Sequence, residues 1–216
     1  MSTWLQRTQD QLESILRLAP VVAVVTIERV DDAVPIARAL VAGGIPAIEV
    51  TLRTPAAIDA IEAIANSVHG AVAGAGTVLN ADDLRAAERA GAKFAVAPGA
   101  SPALLQAAEN SAVPFLLGSA SASEAMTFFE RGFRLQKFFP AEPAGGVDYL
   151  RALSGPLPAI RFCPTGGVRA ETAAAYLALA NVVCVGGSWL TPANLVRAGD
   201  WAAITALARQ AEKLRK

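Results

Sequence analysis

The feature that most constrains the fold is a regular alternation of two kinds of segment along the chain. Short apolar runs typical of strands recur at intervals of roughly 20–25 residues, and alanine-rich stretches with helical spacing separate them. The eight runs are 21–27, 47–52, 71–76, 94–98, 114–118, 135–139, 160–163 and 182–185. Because strands that alternate with helices form a parallel sheet, eight repeats in 216 residues predict a (β/α)8 TIM barrel.

No linker or low-complexity stretch interrupts this alternation, so we expect one domain over residues 1–216. Residues 1–19 carry an apolar helical stripe and are predicted to form an extra helix over the N-terminal end of the barrel. An open doubly wound sheet is the alternative. The segment Gly74-Ala-Gly-Thr-Val-Leu79 weakens it, because the dinucleotide-binding turn requires a third glycine that this segment lacks.

Local signals mark several helix ends. Thr54-Pro55 and Ser101-Pro102 each place a hydroxyl before a proline, which is typical of an N-cap followed by the first helical residue. Glycines at 43–44, 91 and 132 follow helical stretches, as C-terminal caps do.

Composition argues against several classes of function. The net charge is zero, which disfavours nucleic acid as a partner. No apolar run approaches the ~18 residues of a membrane span, and charged residues in 1–20 argue against a signal peptide, so a cytoplasmic location is expected. Cys163 and Cys184 are expected to be buried, reduced thiols. The single histidine, His69, is predicted in a surface loop, and the scattered carboxylates predict no metal site and no cofactor.

Lys137 lies in the apolar run 135–139, where an isolated amine must be neutralised, paired or used. Lys93 precedes the fourth strand and belongs to the opposite end of a barrel, whereas Lys213 and Lys216 lie in the tail of the last helix. Active sites of barrels form at the C-terminal ends of the strands, which leaves Lys137 as the lysine at the functional end. A neutral amine there could attack a carbonyl group.

The second strand adds two charged groups to the same region. Alternation of side chains places Glu49, Thr51 and Arg53 on one face, directed into the barrel. An internal ion pair of Glu49 and Arg53 that only satisfies both groups is one structural alternative, and a salt bridge between Lys137 and Glu49 is the other. Buried charge is a poor source of stability, so the position at the functional end favours a catalytic pair.

Two glycine-rich turns follow the seventh and eighth strands and predict a phosphate site, because backbone N–H groups in these loops bind anions in many barrels. The residues are Thr165, Gly166, Gly167, Gly186, Gly187 and Ser188. Two tight turns without a ligand are the alternative. Thr77 supplies a further hydroxyl at the end of the third strand, and Pro98 and Phe139 are expected to form apolar walls.

These motifs resemble those of the 2-keto-3-deoxy-6-phosphogluconate (KDPG) aldolases. The matching runs are 48–54, 72–78, 137–142, 161–167 and 185–189, in order within a resemblance that extends from Pro20 to Trp201. The resemblance implies a metal-independent class I aldolase of the Entner–Doudoroff pathway, built as a (β/α)8 barrel and assembled as a homotrimer. The first strand, at 24–29, departs from the family pattern and leaves the contacts to the distal part of the substrate open.

The resemblance also implies roles for the site residues. Lys137 matches the lysine that forms the Schiff base, Glu49 the general acid and base, and Arg53 with Thr77 the groups that bind the carboxylate of the keto acid. The residues that match the phosphate loops are Thr165, Gly166, Gly167 and Ser188, with Gly186 and Gly187 beside them.

The expected reaction is cleavage of 2-keto-3-deoxy-6-phosphogluconate to pyruvate and glyceraldehyde 3-phosphate. Cleavage of 4-hydroxy-2-oxoglutarate or of the phosphogalactonate epimer is the nearest alternative, since the same lysine would serve. A phosphate-binding isomerase that uses Glu49 as a base without a covalent step, and a non-catalytic barrel that binds a phosphorylated metabolite, are more distant alternatives.

Overall fold

Helices and strands alternate along residues 3–214, the part of the chain that the computed structural model describes. The strands are β1 Val21–Val25, β2 Ala47–Thr51, β3 Val72–Gly76, β4 Phe94–Val96, β5 Phe115–Ser119, β6 Leu135–Phe138, β7 Arg161–Pro164 and β8 Val185–Gly187. The helices are α1 Thr3–Leu16, α2 Val30–Ala42, α3 Ala57–Ser67, α4 Ala81–Arg89, α5 Pro102–Glu109, α6 Ala122–Glu130, α7 Gly146–Leu153, α8 Ala170–Leu177, α9 Ala193–Ala198 and α10 Trp201–Glu212.

The eight strands form one parallel sheet in the order β7-β6-β5-β4-β3-β2-β1-β8. Two isolated bridges, Phe162 to Val182 and Thr165 to Gly186, join β7 to the segment that leads into and includes β8. The sheet therefore nearly closes on itself, which confirms the predicted (β/α)8 barrel and excludes the open doubly wound sheet.

The eighth strand lies further along the chain than predicted, at 185–187 instead of 182–185. Val182 bridges Phe162, and the Val183 amide donates to the Phe162 carbonyl at 3.0 Å. This stretch therefore runs beside β7 first, and the chain pairs with β1 only from Val185 onwards. The apolar run predicted the existence of the strand, whereas the curvature of the closing barrel sets where pairing begins.

Helix α1 covers the N-terminal end of the barrel, as predicted. Leu12 and Leu16 are buried in a cluster with inward-facing strand residues such as Phe94 and Leu135. Gln9 fixes the helix to two strands, because its amide group donates to the Phe115 carbonyl and accepts from the Leu135 amide. Residues 1–2 of the predicted segment 1–19 lie outside the described residues.

One predicted helix start is confirmed and the other is wrong. Ser101 caps α5 by accepting a hydrogen bond from the Leu104 amide, and Pro102 is the first helical residue. Helix α3 begins at Ala57, two residues later than Pro55, because the Thr54 hydroxyl donates to the carbonyl of Ile27 in the neighbouring loop. The Thr54 hydroxyl, which the sequence pattern predicts as an N-cap, makes a hydrogen bond between loops instead.

The histidine, the other described lysines and the two cysteines lie where the sequence predicts. His69, Lys93 and Lys213 are exposed, and Lys216 lies outside the described residues. Cys163 and Cys184 are buried free thiols, and contact with Cys163 together with burial raises the pKa of Cys184 well above its ordinary value. Within residues 3–214, no helix has the length and apolar character needed to cross a membrane.

Candidate active site

Lys137 and Glu49 meet inside the barrel. Lys137 Nζ donates to Glu49 Oε1 at 3.2 Å, across 88 residues of sequence. The two side chains are only 5% and 3% exposed. The salt bridge between Lys137 and Glu49 considered as a structural alternative is therefore present. Because the desolvation of two buried charges offsets most of their attraction, this pair contributes little to the free energy of folding. Its chemical role therefore depends on the residues that surround it.

The strand alternation places Lys137 in the interior. Its neighbours Gln136 and Phe138 point outward: the Gln136 amide group donates to the carbonyls of Ala125 and Phe133, and the Phe138 ring stacks on Tyr149 at 5.5 Å. Lys137 then lies on the opposite face, with Nζ 5.0 Å from the centre of the Phe139 ring.

Gly76 of β3 provides the space for Glu49. A methyl group at this position would collide with the Glu49 carboxylate. The carboxylate thus lies directly over a glycine in the neighbouring strand, where Thr51 and Gly76 are paired in register. This close approach is the physical reason for a glycine at the end of β3.

Arg53 and Thr77 are also brought together. Arg53 Nε donates to Thr77 Oγ1 at 3.0 Å. Thr77 has a φ of 59°, and within residues 3–214 it is the only residue other than glycine in the left-handed region. A β-branched residue is strained there, and such strain is concentrated at functional sites. The strained backbone holds the hydroxyl against the guanidinium.

Both predicted glycine turns border the same cavity as Lys137. This cavity has a volume of about 130 Å³, and its walls include Arg53, Lys137, Phe139, Thr165, Gly166, Gly167, Gly186 and Ser188. Gly166 and Gly167 have φ values of 95° and 84°, which turn the backbone tightly after β7. The Thr165 side chain lies over Gly186, where a methyl group would collide with it. The two turns are consequently packed against each other beside the lysine.

Four predicted residues do not line this cavity: Glu49, Thr77, Pro98 and Gly187. Glu49 accepts from Lys137 and Thr77 accepts from Arg53, so these two contact residues of the cavity wall. The Pro98 carbonyl packs against Gly118 of β5, and Gly187 packs under the ring of Trp189. The contacts of Pro98 and Gly187 are packing contacts within the protein. A sequence pattern does not distinguish such contacts from contacts to a ligand.

Several residues at the site were not predicted. Val24, Thr26 and Val168 also line the cavity, and the Thr26 hydroxyl lies 2.9 Å from that of Thr51. A threonine at the end of a strand is a signal that could have identified Thr26, because the same reasoning found Thr77. Val168 carries no such polar signal.

Contacts outside the cavity support the turn after β7. Tyr176 donates to Glu142 Oε1 at 2.9 Å, and the Glu142 side chain packs against Gly167. Burial is the main reason that the pKa of Tyr176 lies well above its ordinary value, and the hydrogen bond to Glu142 raises this pKa further. Glu142 is the last residue of the matched run 137–142, but its contact with Tyr176 of α8 depends on the fold.

A buried lysine and carboxylate, an arginine held by a strained threonine, and two glycine turns thus share one end of a (β/α)8 barrel. This arrangement defines the class as a barrel enzyme with an amine–carboxylate centre beside two glycine turns.

Comparison with known proteins identifies the family. A family model described as "Aldolase: KDPG and KHG aldolase" matches residues 12–207, so the chain belongs to this family. It is 50% identical over 211 residues to the KHG/KDPG aldolase of Escherichia coli (strain K12), a match that covers 98% of this chain and 97% of the relative.

Two solved structures have a similar fold. One is the KDPG aldolase of Legionella pneumophila with pyruvate captured as a covalent carbinolamine intermediate, at 42% identity and a TM-score of 0.91, covering 93% of this chain and 97% of that one. The other is the 2-keto-3-deoxy-6-phosphogluconate aldolase of Zymomonas mobilis ZM4 with 3-phosphoglycerate, at 45% identity and a TM-score of 0.91, covering 97% and 98%.

Proposed function

We propose that this protein is a class I aldolase that cleaves 2-keto-3-deoxy-6-phosphogluconate to pyruvate and glyceraldehyde 3-phosphate. The observation that carries the proposal is Lys137 Nζ, buried 3.2 Å from the Glu49 carboxylate on the wall of a cavity that also contains Arg53. Relatives of the family support it, since the Legionella enzyme has pyruvate bound covalently as a carbinolamine.

The first half of the reaction forms an imine. Arg53 binds the carboxylate of the keto acid through charge-assisted hydrogen bonds, with the Thr77 hydroxyl beside it. Neutral Lys137 Nζ attacks the C2 ketone, and the resulting carbinolamine loses water as Glu49 transfers the protons. The product is a protonated imine between Nζ and C2.

The second half breaks the carbon chain. Glu49 removes the proton of the C4 hydroxyl, the C3–C4 bond breaks, and its electron pair enters the imine to form an enamine. The C4 carbon leaves as the aldehyde of glyceraldehyde 3-phosphate. Protonation of the enamine at C3 and hydrolysis of the imine by water then release pyruvate and restore the amine.

The glycine turns bind the phosphate at the far end of the substrate. Thr165, Gly166, Gly167 and Ser188 border the cavity that holds Lys137, and their backbone N–H groups and hydroxyls are the proposed donors to the phosphate. Binding energy from the phosphate orients the reacting carbons at the lysine, where the chemical step takes place.

A second activity, cleavage of 4-hydroxy-2-oxoglutarate, is favoured by one finding. The Escherichia coli relative, at 50% identity, is a KHG/KDPG aldolase. The same lysine, carboxylate and arginine would act on either keto acid, because the pyruvate half is common to both. Relative turnover of the two substrates in a coupled pyruvate-release assay separates the activities.

The biological setting follows from the same proposal. We propose a homotrimer in the cytosol. Cysteines remain reduced in that compartment, and both cysteines of this chain are free and buried.

We also propose that the chain forms one domain. The continuity of one sheet through all eight strands supports it.

Trapping with borohydride tests the proposal. Pyruvate and borohydride together should leave a covalent pyruvyl adduct on Lys137, located by peptide mass spectrometry. Lys137→Arg should abolish the adduct and turnover, whereas Lys93→Arg, which changes an exposed lysine at the other end of the barrel, should alter neither. Absence of an adduct, or an adduct at another residue, would refute the Schiff-base function and favour an isomerase without a covalent step.

A further inference from the structure

The cavity at Lys137 is too small for the whole substrate. Its volume of about 130 Å³ is below the ~300 Å³ at the lower end of ligand pockets. A second cavity of about 520 Å³ adjoins it between the turns that follow β1 and β8. Val24, Thr26 and Ser188 line both cavities, so a ligand that extends from Lys137 toward Ser188 passes Thr26.

Thr26 is positioned to offer a hydrogen bond on this shared wall. The hydroxyls of Thr26 and Thr51 are 2.9 Å apart, and neither makes another hydrogen bond within residues 3–214. Thr51 is only 1% exposed, whereas Thr26 is exposed. Because a buried donor must be satisfied, Thr51 donates to Thr26, and the Thr26 proton is left to face the cavity.

We propose that Thr26 is a specificity-determining residue that donates this hydrogen bond to a hydroxyl of the aldehyde half of the substrate. The inference rests on the proposed function. The bond from Thr51 polarises the Thr26 hydroxyl and strengthens its donation. Glyceraldehyde 3-phosphate carries a hydroxyl next to its aldehyde carbon, whereas glyoxylate, the aldehyde half of 4-hydroxy-2-oxoglutarate, has none. Thr26 therefore favours 2-keto-3-deoxy-6-phosphogluconate, the substrate with this additional hydroxyl.

The test compares kcat/KM for 2-keto-3-deoxy-6-phosphogluconate with kcat/KM for 4-hydroxy-2-oxoglutarate. Thr26→Val, which keeps the shape and removes the hydroxyl, should lower this ratio about tenfold, the effect of one lost hydrogen bond. Thr26→Ser retains the hydroxyl and should keep the ratio within about threefold of wild type. An unchanged ratio in Thr26→Val would overturn the inference.

A double variant separates substrate contact from a structural effect. Thr26→Val leaves the buried Thr51 hydroxyl without its partner, and Thr26→Val/Thr51→Val removes that orphaned group. The ratio should remain low in the double variant. Recovery of the ratio would show that the orphaned hydroxyl caused the change, and the role assigned to Thr26 would be wrong.

Failure of this inference is distinguishable from failure of the proposed function. A wild-type protein that forms no pyruvyl adduct on Lys137 refutes the aldolase mechanism itself. A wild-type protein that forms the adduct on Lys137 but does not cleave 2-keto-3-deoxy-6-phosphogluconate refutes the proposed substrate. An adduct on Lys137 and cleavage of this substrate, together with an unchanged ratio in Thr26→Val, refute only the role of Thr26.

Discussion

At the scale of single residues, the site depends on one close approach between neighbouring strands. Glu49 reaches Lys137 because the residue below its carboxylate, Gly76, has no side chain. The ion pair is buried, so each group is held by the other and by packing rather than by water. The proton transfers proposed for Glu49 require this position, because the carboxylate must lie within hydrogen-bond reach of the lysine nitrogen.

Replacing the carboxylate of Glu49 tests its proposed chemical role. Glu49→Gln should leave the fold intact and reduce kcat by about 10²–10⁴, the usual contribution of general acid–base catalysis. Steady-state kinetics by pyruvate release, with circular dichroism as the control for folding, measures the effect. Near-normal turnover would reduce Glu49 to a structural partner of Lys137.

Filling the space at Gly76 should displace the same carboxylate without changing its chemistry. Gly76→Ala places a methyl group against Glu49, and the side chain must move away from Lys137. We expect kcat to fall at least about tenfold, because misplacement by an ångström is enough to reduce catalysis strongly.

Gly155→Ala is the matched control for this change. A methyl group at Gly155 meets no atom within 4 Å, so the same substitution type should leave kcat unchanged there. Equal activity of Gly76→Ala and Gly155→Ala would mean that Glu49 does not need its observed position.

At the scale of elements, helix α1 is joined to the barrel by apolar packing and by charge. Arg134, directly before β6, binds Glu13 at 2.6 Å and Asp10 at 3.0 Å. Glu13 also accepts at 2.9 Å from Arg17, the residue directly after the helix. The bond from Arg17, with the attraction of Arg134, holds the pKa of Glu13 below its ordinary value of 4.5. A carboxylate with a lowered pKa in the folded state stabilises the fold when it is ionised.

This sets the pH dependence of the contribution from Glu13. The contribution is fully present above pH 4.5, the ordinary pKa, and is lost as the pH falls through the lower pKa of the folded state. Glu13→Gln should lower the free energy of unfolding by less than about 1 kcal/mol at pH 7, since the pair is partly exposed. The difference from wild type should shrink as the pH falls below 4.5.

Urea unfolding at several pH values measures this difference. Glu62→Gln, which changes an exposed glutamate on α3, is the control and should leave the stability unchanged at each pH. A Glu13→Gln effect that stays constant from pH 7 to acid would contradict the electrostatic explanation.

At the scale of the whole molecule, the surface carries apolar side chains that an assembly would cover. Met126 and Phe129, three residues apart on α6, are 48% and 41% exposed, and Leu79 is 57% exposed. The apolar fraction of the chain is 53%, which is compatible with a buried subunit interface. The proposed homotrimer would remove some of this surface from water.

Light scattering after size exclusion tests the assembly. We expect the mass of three 22.3-kDa chains, retained on dilution to the concentration of an activity assay. Obligate assemblies bury large apolar interfaces and persist at low concentration. A mass of one chain would refute the trimer and leave the catalytic proposal untouched, because Lys137, Glu49 and Arg53 belong to the same chain.

Local sequence patterns were enough to predict the repeat, the barrel and the inward face of the strands that carry Glu49 and Lys137. These features depend on local periodicity: alternation alone directs Glu49 and Lys137 inward, and Ser101-Pro102 begins a helix as its pattern predicts. Exclusion by position also identified Lys137 as the lysine of the site. Such inferences succeed because they involve residues close together in the chain.

Which of these residues touch depends on the three-dimensional fold. Lys137 and Glu49 are 88 residues apart, and their 3.2 Å contact depends on the space left by Gly76. Thr54 bonds to a neighbouring loop instead of capping its helix, and Pro98 packs on a strand outside the cavity wall. Thr26 meets Thr51 because β1 and β2 are adjacent in the barrel. Distances across a closed sheet follow from strand curvature and side-chain volume, which no local pattern encodes.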